Sequence, residues 1–237
     1  MIRKIYTCFS PLWYPLFQEY GKTVVVIDIM RATTSICAAI AAGAKAIIPV
    51  GSVEEARKAK EEGYILAAER DGVILDFADF GNSPDAFTPE RVAGKVIAYS
   101  TTNGTQAIKM AADGNKNVVI GAFVNVSTVV KYLKEKDEDV LLFCAGWKNR
   151  FSLEDSLCAG LIADRLIKSA GFETHCDSTI ACMDLWTLAE KDLIAYIEKC
   201  SHRHRLKGIV SEESIRYCHT LDVLDVLPVL KEGKLVK

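Results

Sequence analysis

Acidic residues that close apolar runs are where this chain first suggests chemistry. Asp28 ends Thr23-Val-Val-Val-Ile and is followed by Arg31-Ala-Thr-Thr-Ser. A carboxylate at a strand end lies where open α/β sheets bind ligands, and it can ligate a metal or act as a nucleophile. It can equally cap a helix or pair with Arg31. Glu69-Arg70 closes a second apolar run, Tyr64 to Ala68, and leads to Asp79-Phe-Gly-Asn-Ser-Pro84. Glu69 offers a second carboxylate, and Asn82 and Ser83 offer neutral hydrogen bonds, although the same stretch also reads as a solvated turn. Asp155 stands in Arg150-Phe-Ser-Leu-Glu-Asp, where Ser152 and Asp155 have the spacing of a helix-capping box. Its alternative role is a third carboxylate facing a cleft. Three carboxylates from separate segments suit Mg²⁺, a hard cation that takes oxygen ligands.

A second pattern is rich in hydroxyls. Ser100-Thr101-Thr102-Asn103-Gly104-Thr105 precedes a helix-like stretch and follows Val96-Ile-Ala-Tyr. Backbone N–H groups at such a helix start, helped by side-chain donors, form a seat for phosphate. A capped helix after an ordinary loop explains the same residues. Thr33 and Thr34 repeat the theme after Asp28, so two helix N-termini on one rim could hold two anionic groups.

Cys144 and Arg150 have the Cys-x5-Arg spacing of cysteine-dependent phosphatases, in which a thiolate attacks phosphorus and the arginine clamps its oxygens. The loop between them has one glycine, and Phe143 stands where those enzymes usually carry histidine. The alternative is a buried strand-end thiol beside an anion-binding arginine. No G-x-x-x-x-G-K-[ST], G-x-G-x-x-G or H-E-x-x-H occurs, and Asp28-Ile-Met-Arg lacks the second aspartate of a D-x-D phosphatase motif. His202 and His204, in Ser-His-Arg-His-Arg, read as a solvated basic patch. His175 and His219 are isolated.

The elements that must position these groups repeat as strand, polar loop and helix. The copies begin at Thr23, Val96 and Val140, and the third runs into a helix from Glu154 to Ser169. This pattern predicts an α/β fold with mostly parallel sheet flanked by helices. The first two copies align with Thr34 against Thr105 and Gly43 against Gly114, which suggests a duplicated βαβ unit. The expected organisation is one domain over 1–237, with two α/β halves at about 1–125 and 126–237 sharing one site. Helices are expected over Ser52–Gly63, Val126–Lys136, Leu185–Ser201 and Ser211–Tyr217. The tail from Val226 is expected at a sheet edge, because Pro228 cannot donate to a ladder.

Bulk properties narrow the class. Of 237 residues half are hydrophobic and a quarter charged, as in an ordinary globular protein. The net charge of −2 gives no general attraction to nucleic acid or anionic membrane, so local groups must hold an anionic substrate. No apolar run approaches a bilayer span, and the first residues lack a leader's apolar region. Eight cysteines without a C-x-x-C pair, most within apolar runs, fit buried thiols in a reducing cytoplasm. A homodimer is the default expectation for assembly.

Taken together, four blocks resemble the 2-phosphosulfolactate phosphatases of sulfolactate and coenzyme M metabolism. They are Val-Ile-Asp28-Ile-Met-Arg31-Ala-Thr33-Thr34; Glu69-Arg70 with Asp79-Phe-Gly-Asn82-Ser83-Pro84; Ser100 to Thr105; and Cys144-Ala-Gly146 with Phe151 to Asp155 and Ala159-Gly160. His202 to Leu206, Tyr217-Cys218 and Val226 to Leu230 also look similar. The resemblance implies an α/β fold and a Mg²⁺-dependent hydrolysis of (2R)-phosphosulfolactate, a small, multiply anionic phosphoester. On that basis Asp28, Glu69 and Asp155 are expected to hold the metal, directly or through water. Arg31 and Arg150 are expected to grip the carboxylate and sulfonate. Thr33, Thr34, Asn82, Ser83 and the turn Ser100, Thr101, Thr102, Asn103, Gly104, Thr105 complete the expected substrate site. Two positions depart from the family pattern: Phe77-Ala78 replaces a common Gly-Phe, and Ala68 replaces a frequent Gly.

Overall fold

The computed structural model describes residues 2–114, 116–169 and 171–237. Its strands are β1 (Arg3–Cys8), β2 (Thr23–Ile27), β3 (Ala46–Pro49), β4 (Ile65–Arg70), β5 (Val73–Ile74) and β6 (Val96–Ser100), then β7 (Asn117–Gly121), β8 (Val140–Cys144), β9 (Phe172–Glu173), β10 (Val229–Lys231) and β11 (Lys234–Val236). They form one 11-stranded sheet in the order β5-β4-β6-β3-β11-β10-β7-β2-β8-β1-β9. The α/β architecture with a mostly parallel sheet is therefore as the sequence pattern indicates.

The central strands are buried on both faces, which is why they read as unbroken apolar runs rather than alternating ones. All five residues of β2 and all five of β8 are buried. Helix Leu153–Lys168 packs on β8 and β2 and against helix Asp177–Ala189, while Gly104–Ala112 packs on β2, β7 and β3. Gly160 allows the contact with helix Asp177–Ala189: a Cβ there would stand 2.1 Å from the carbonyl oxygen of Cys182.

The two similar strand-loop-helix units cross between the same two regions of the sheet. From β2 the chain runs through helix Ala32–Ala41 to β3, and from β6 through Gly104–Ala112 to β7. β2 pairs with β7 in parallel, and β3 pairs with β6. Each unit thus starts in one region and ends in the other, and their helix starts meet between them. Strands from the two sequence halves are also interleaved, since β8 lies between β1 and β2.

Two expectations change. The C-terminal tail is a hairpin in the middle of the sheet, with β10 antiparallel to β7 and β11 antiparallel to β3. Pro228 is tolerated there because it acts as an acceptor: its carbonyl takes the Ile120 N–H at 2.9 Å, just before β10 begins. The helix expected over Leu185–Ser201 is divided. One helix ends at Ala189, a new one runs Leu193–Ile197, and a third starts at Ser201. Asp192 marks the restart, its carboxylate accepting the Ala195 N–H at 3.0 Å. Among the described residues no helix is long and apolar enough to cross a membrane.

Candidate active site

The carboxyl ends of β2, β4, β6 and β8 converge where the two crossovers meet, the topological position at which open sheets bind ligands. Asp28 follows β2, and Thr33 fixes it from both sides: the Asp28 N–H donates to Thr33 Oγ1 at 3.0 Å, and that hydroxyl donates back to the Asp28 carbonyl at 2.9 Å. Asp28 Oδ1 accepts the Ala32 N–H at 3.3 Å. Opposite it the helix beginning at Gly104 approaches so closely that a Cβ at 104 would lie 2.4 Å from Ala32 Cβ and 2.8 Å from Asp28 Oδ2. Glycine is required there for contact; the amides of the helix's first turn have no intrahelical partner, and that of Thr105 donates to Thr101 Oγ1 at 3.3 Å.

A narrow cleft of about 20 Å³, room for little more than a water molecule, lies beside this contact. Asp28, Arg31, Glu69, Asn82, Thr101 and Asn103 line it, with Met30, Gly72, Trp147, His202 and Leu206 completing the walls. Arg31 is 7% exposed and takes part in none of the ion pairs among the described residues. A buried guanidinium without a carboxylate partner among the described residues is suited to receive an anion. Asn82 Oδ1 is buried without a hydrogen-bond partner. Glu69 is steadied by the N–H groups of Thr102 at 2.9 Å and Gly72 at 2.6 Å. Arg70, next to it, donates to Ser100 Oγ at 2.9 Å.

Burial pushes the Asp28 carboxyl up to about 7; the Ala32 amide opposes this, the neighbouring charges of Glu69 and Glu154 add to it, and Arg31 offsets part of it. Asp155 lies behind the cleft. Its Oδ1 accepts the Ile29 N–H at 2.9 Å and its Oδ2 the Gly146 N–H at 3.0 Å, so it ties the end of β2 to the end of β8. Burial and the charge of Asp28 hold its carboxyl well above the usual range. Asp155 also donates its N–H to Ser152 Oγ at 3.4 Å, one half of the expected capping box; its carboxylate, held by Ile29 and Gly146, does not make the return bond.

The hydroxyls proved to be mostly structural. Thr33 is bound to Asp28 as described, and Thr34 Oγ1 donates to the Ile29 carbonyl at 3.0 Å. Thr101 and Thr105 bond each other's backbone, Ser100 Oγ donates to the Val50 carbonyl, and Thr102 Oγ1 accepts from Asp71. Asn103 Oδ1 accepts the Lys148 N–H at 2.9 Å. Ser83 points away from the cleft, bonded to Asp85 and, at 3.4 Å, to Ser214. Arg150 is exposed on a tight turn closed by reciprocal backbone bonds with Trp147, and it is Trp147 that reaches the cleft. The turn inverts the expectation because the residues between them, Lys148 and Asn149, adopt positive φ.

The Cys144 thiol is fully buried and burial pushes it well above its ordinary range. With Arg150 at the surface, the two do not form a thiolate–guanidinium pair. His202, expected on a solvated patch, is 5% exposed and lines the cleft. The sequence did carry a signal for it: His202 and Leu206 are four residues apart, one face of a helical turn, with the charged residues between them facing out. Glu154 is the other group that the site adds, 3% exposed beside His202.

A wider surface groove of about 460 Å³ runs past Ala38, Pro84, Phe87 and Tyr217, and the charged residues among its described lining are Asp85 and Glu213. It has no cation for an anionic ligand, which makes the smaller cleft the candidate site. The family departures do not touch that cleft. Ala68 is buried in a small core with Val50 and Ala98, and Phe77 and Ala78 pack against the same core.

A mostly parallel sheet whose crossovers bring two helix starts to one polar cleft at the strand ends has the architecture of an α/β enzyme. Comparison with known proteins makes the class specific: residues 14–233 match the family model described as 2-phosphosulpholactate phosphatase, and the chain belongs to that family. Over 241 residues, 99% of each chain, it is 41% identical to a probable 2-phosphosulfolactate phosphatase of Gloeothece citriformis. It is 38% identical over 216 residues to one from Caldanaerobacter subterraneus subsp. tengcongensis, covering 90% of this chain and 89% of the relative. A Thermotoga maritima protein of the same description is 38% identical over 213 residues, 90% of each.

Proposed function

We propose that this chain hydrolyses the phosphate ester of 2-phosphosulfolactate, giving sulfolactate and inorganic phosphate. The observation that carries the reading is Arg31: a buried guanidinium, free of carboxylate partners among the described residues, lining the same small cleft as Thr101 and Asn103 just before the Gly104 helix. The helix start takes the phosphoryl oxygens, and Arg31 takes an acid group of the remainder of the molecule. A substrate with phosphate, sulfonate and carboxylate groups gives each cluster something to bind.

Mg²⁺ suits the donors present. Asp28 and Glu69 bring carboxylates to the cleft, Asn82 Oδ1 is an orphaned acceptor, and all are hard oxygen ligands. Among the described residues no group of three acidic, histidine or cysteine side chains forms a metal cluster by itself, so a cation there would complete its shell with water or substrate oxygens. Asp28, Glu69 and Asn82 would hold it, and Asp155 would brace the two strand ends behind them. When bound, such a cation supplies charge to the phosphoryl oxygens. The chain's own contribution is orientation: Glu69 is fixed by two amides, Asp28 by Thr33 and Ala32, and the phosphoryl group by the helix start. A cytoplasmic setting agrees with eight free cysteines.

The test is phosphate release from phosphosulfolactate with Mg²⁺ and with chelator. Release in Mg²⁺ that stops in EDTA is expected, and Cys144→Ser should leave it unchanged. Activity that survives EDTA and dies in Cys144→Ser would replace this reading with the cysteine mechanism, and binding without release would make the protein an anion-binding module.

A further inference from the structure

Residues 201–210 lie over the cleft as a strap. His202, Leu206 and Val210 turn inward and are buried, while Ser201, His204, Arg205, Lys207, Gly208 and Ile209 are exposed. Leu206 packs on the backbone of Gly72, so that a Cβ at 72 would lie 3.2 Å from its Cδ2. The ring of His202 meets Trp147 edge-on at 5.3 Å, and the Arg205 guanidinium covers Trp147 at 4.4 Å.

His202 is unpartnered at this position. Among the described residues neither ring nitrogen makes a hydrogen bond, and Glu154 Oε1 stands 3.8 Å from Nδ1. Neither nitrogen of His202 is among the sealed, unpaired polar atoms, so the ring's polar edge is open to the cleft it lines. His219, away from the cleft, is anchored through Nδ1 to the Ile215 carbonyl at 2.7 Å. His202 has no such anchor, yet it lines the same cleft as Arg31. Burial, and then the guanidinium charges of Arg205 and Arg31, push its pKa down to about 3, so the ring is neutral and carries one N–H.

We propose that His202 is a specificity residue: its N–H, beside Arg31, binds the acidic tail of the substrate, while the Gly104 helix start holds the phosphoryl group. The strap then selects what is attached to the phosphate. This rests on the function proposed above, in which sulfolactate is the tail.

The experiment is calorimetric titration of the wild-type protein, His202→Phe and His202→Gln with sulfolactate and, separately, with inorganic phosphate. Phe keeps a ring without a donor, and Gln keeps an N–H. Sulfolactate affinity should fall about tenfold or more in His202→Phe, the scale of a hydrogen bond to a charged group, with His202→Gln recovering most of it. Phosphate affinity should change less than twofold. In turnover, KM for phosphosulfolactate should rise with kcat retained. Unchanged sulfolactate affinity in His202→Phe, equal weakening of both anions, or a wild-type protein that binds phosphate but not sulfolactate would each overturn the proposal. Wild-type binding of sulfolactate without hydrolysis of its phosphate ester would overturn the proposed reaction and leave His202's role standing.

Discussion

Asp28 is the residue whose surroundings most constrain the chemistry. It is buried near Glu69, Glu154 and Asp155, with Arg31 giving only partial relief. Its carboxyl titrates near 7 in the folded protein against 3.8 ordinarily. Between those values the folded state holds a proton that the unfolded chain has lost, so unfolding releases protons and stability falls as pH rises. The contribution is intact below pH 3.8 and gone above about 7. In chelator, therefore, Tm should drop from pH 5 to pH 8, and Asp28→Asn should flatten the drop. Mg²⁺ should raise Tm at pH 8 and have little effect at pH 5; parallel profiles for the variant and wild type in thermal melts would contradict this. The same variant should lose activity by about 10²- to 10³-fold, as when a group that stabilises transition-state charge is removed.

At the level of elements, the spacing between the two helix starts is set by small residues. Gly104→Ala would drive a methyl group into Ala32 and the Asp28 carboxylate. It should cost about 1–3 kcal/mol of stability and weaken phosphate binding, because the phosphate seat must shift. Gly160→Ala would instead strike the Cys182 carbonyl, far from the cleft, and should destabilise while leaving phosphate affinity of the folded protein unchanged. Denaturant melts and phosphate titrations of the two variants separate the effects. Elements of this kind were legible in the sequence: the caps at Ser52 and Ser152 are formed as their spacing indicates. The use of the hydroxyls was not. Thr33, Thr34 and Thr105 satisfy backbone groups of their own turns, and a hydroxyl that braces a loop has the same local sequence as one that binds a ligand. Asp28 and Glu69 could be read from strand ends, and the spacing of His202 and Leu206 marks one inward face, but that this face meets the cleft, and that Trp147 reaches it through a positive-φ turn, depend on long-range packing.

For the whole molecule the C-terminal hairpin matters most. β10 and β11 join the region built on β3 and β6 to the region built on β7 and β2, so the sheet is continuous only through them. Leu235, fully buried and opposite Ile47, is the anchor. Leu235→Ala should cost about 2–5 kcal/mol. Because the hairpin couples both regions, far-UV circular dichroism and tryptophan fluorescence should still report one coincident unfolding transition in urea. Two separated transitions in the wild-type protein would mean that the regions fold independently. The sequence misplaced this tail because Pro228 argued for an edge, and long-range pairing with strands more than a hundred residues away leaves no local trace.

The contact between Ala32 and Gly104 also bears on how the family can diversify. A Cβ at 104 has no room against Ala32, so the part of the cleft proposed to receive the phosphoryl group tolerates almost no drift. The strap has mostly outward-facing side chains and no ladder bonds to preserve, so it can vary. New ester preferences in descendants of this protein, natural or selected in the laboratory, should therefore arise from changes in residues 201–210 long before any appear at the helix starts.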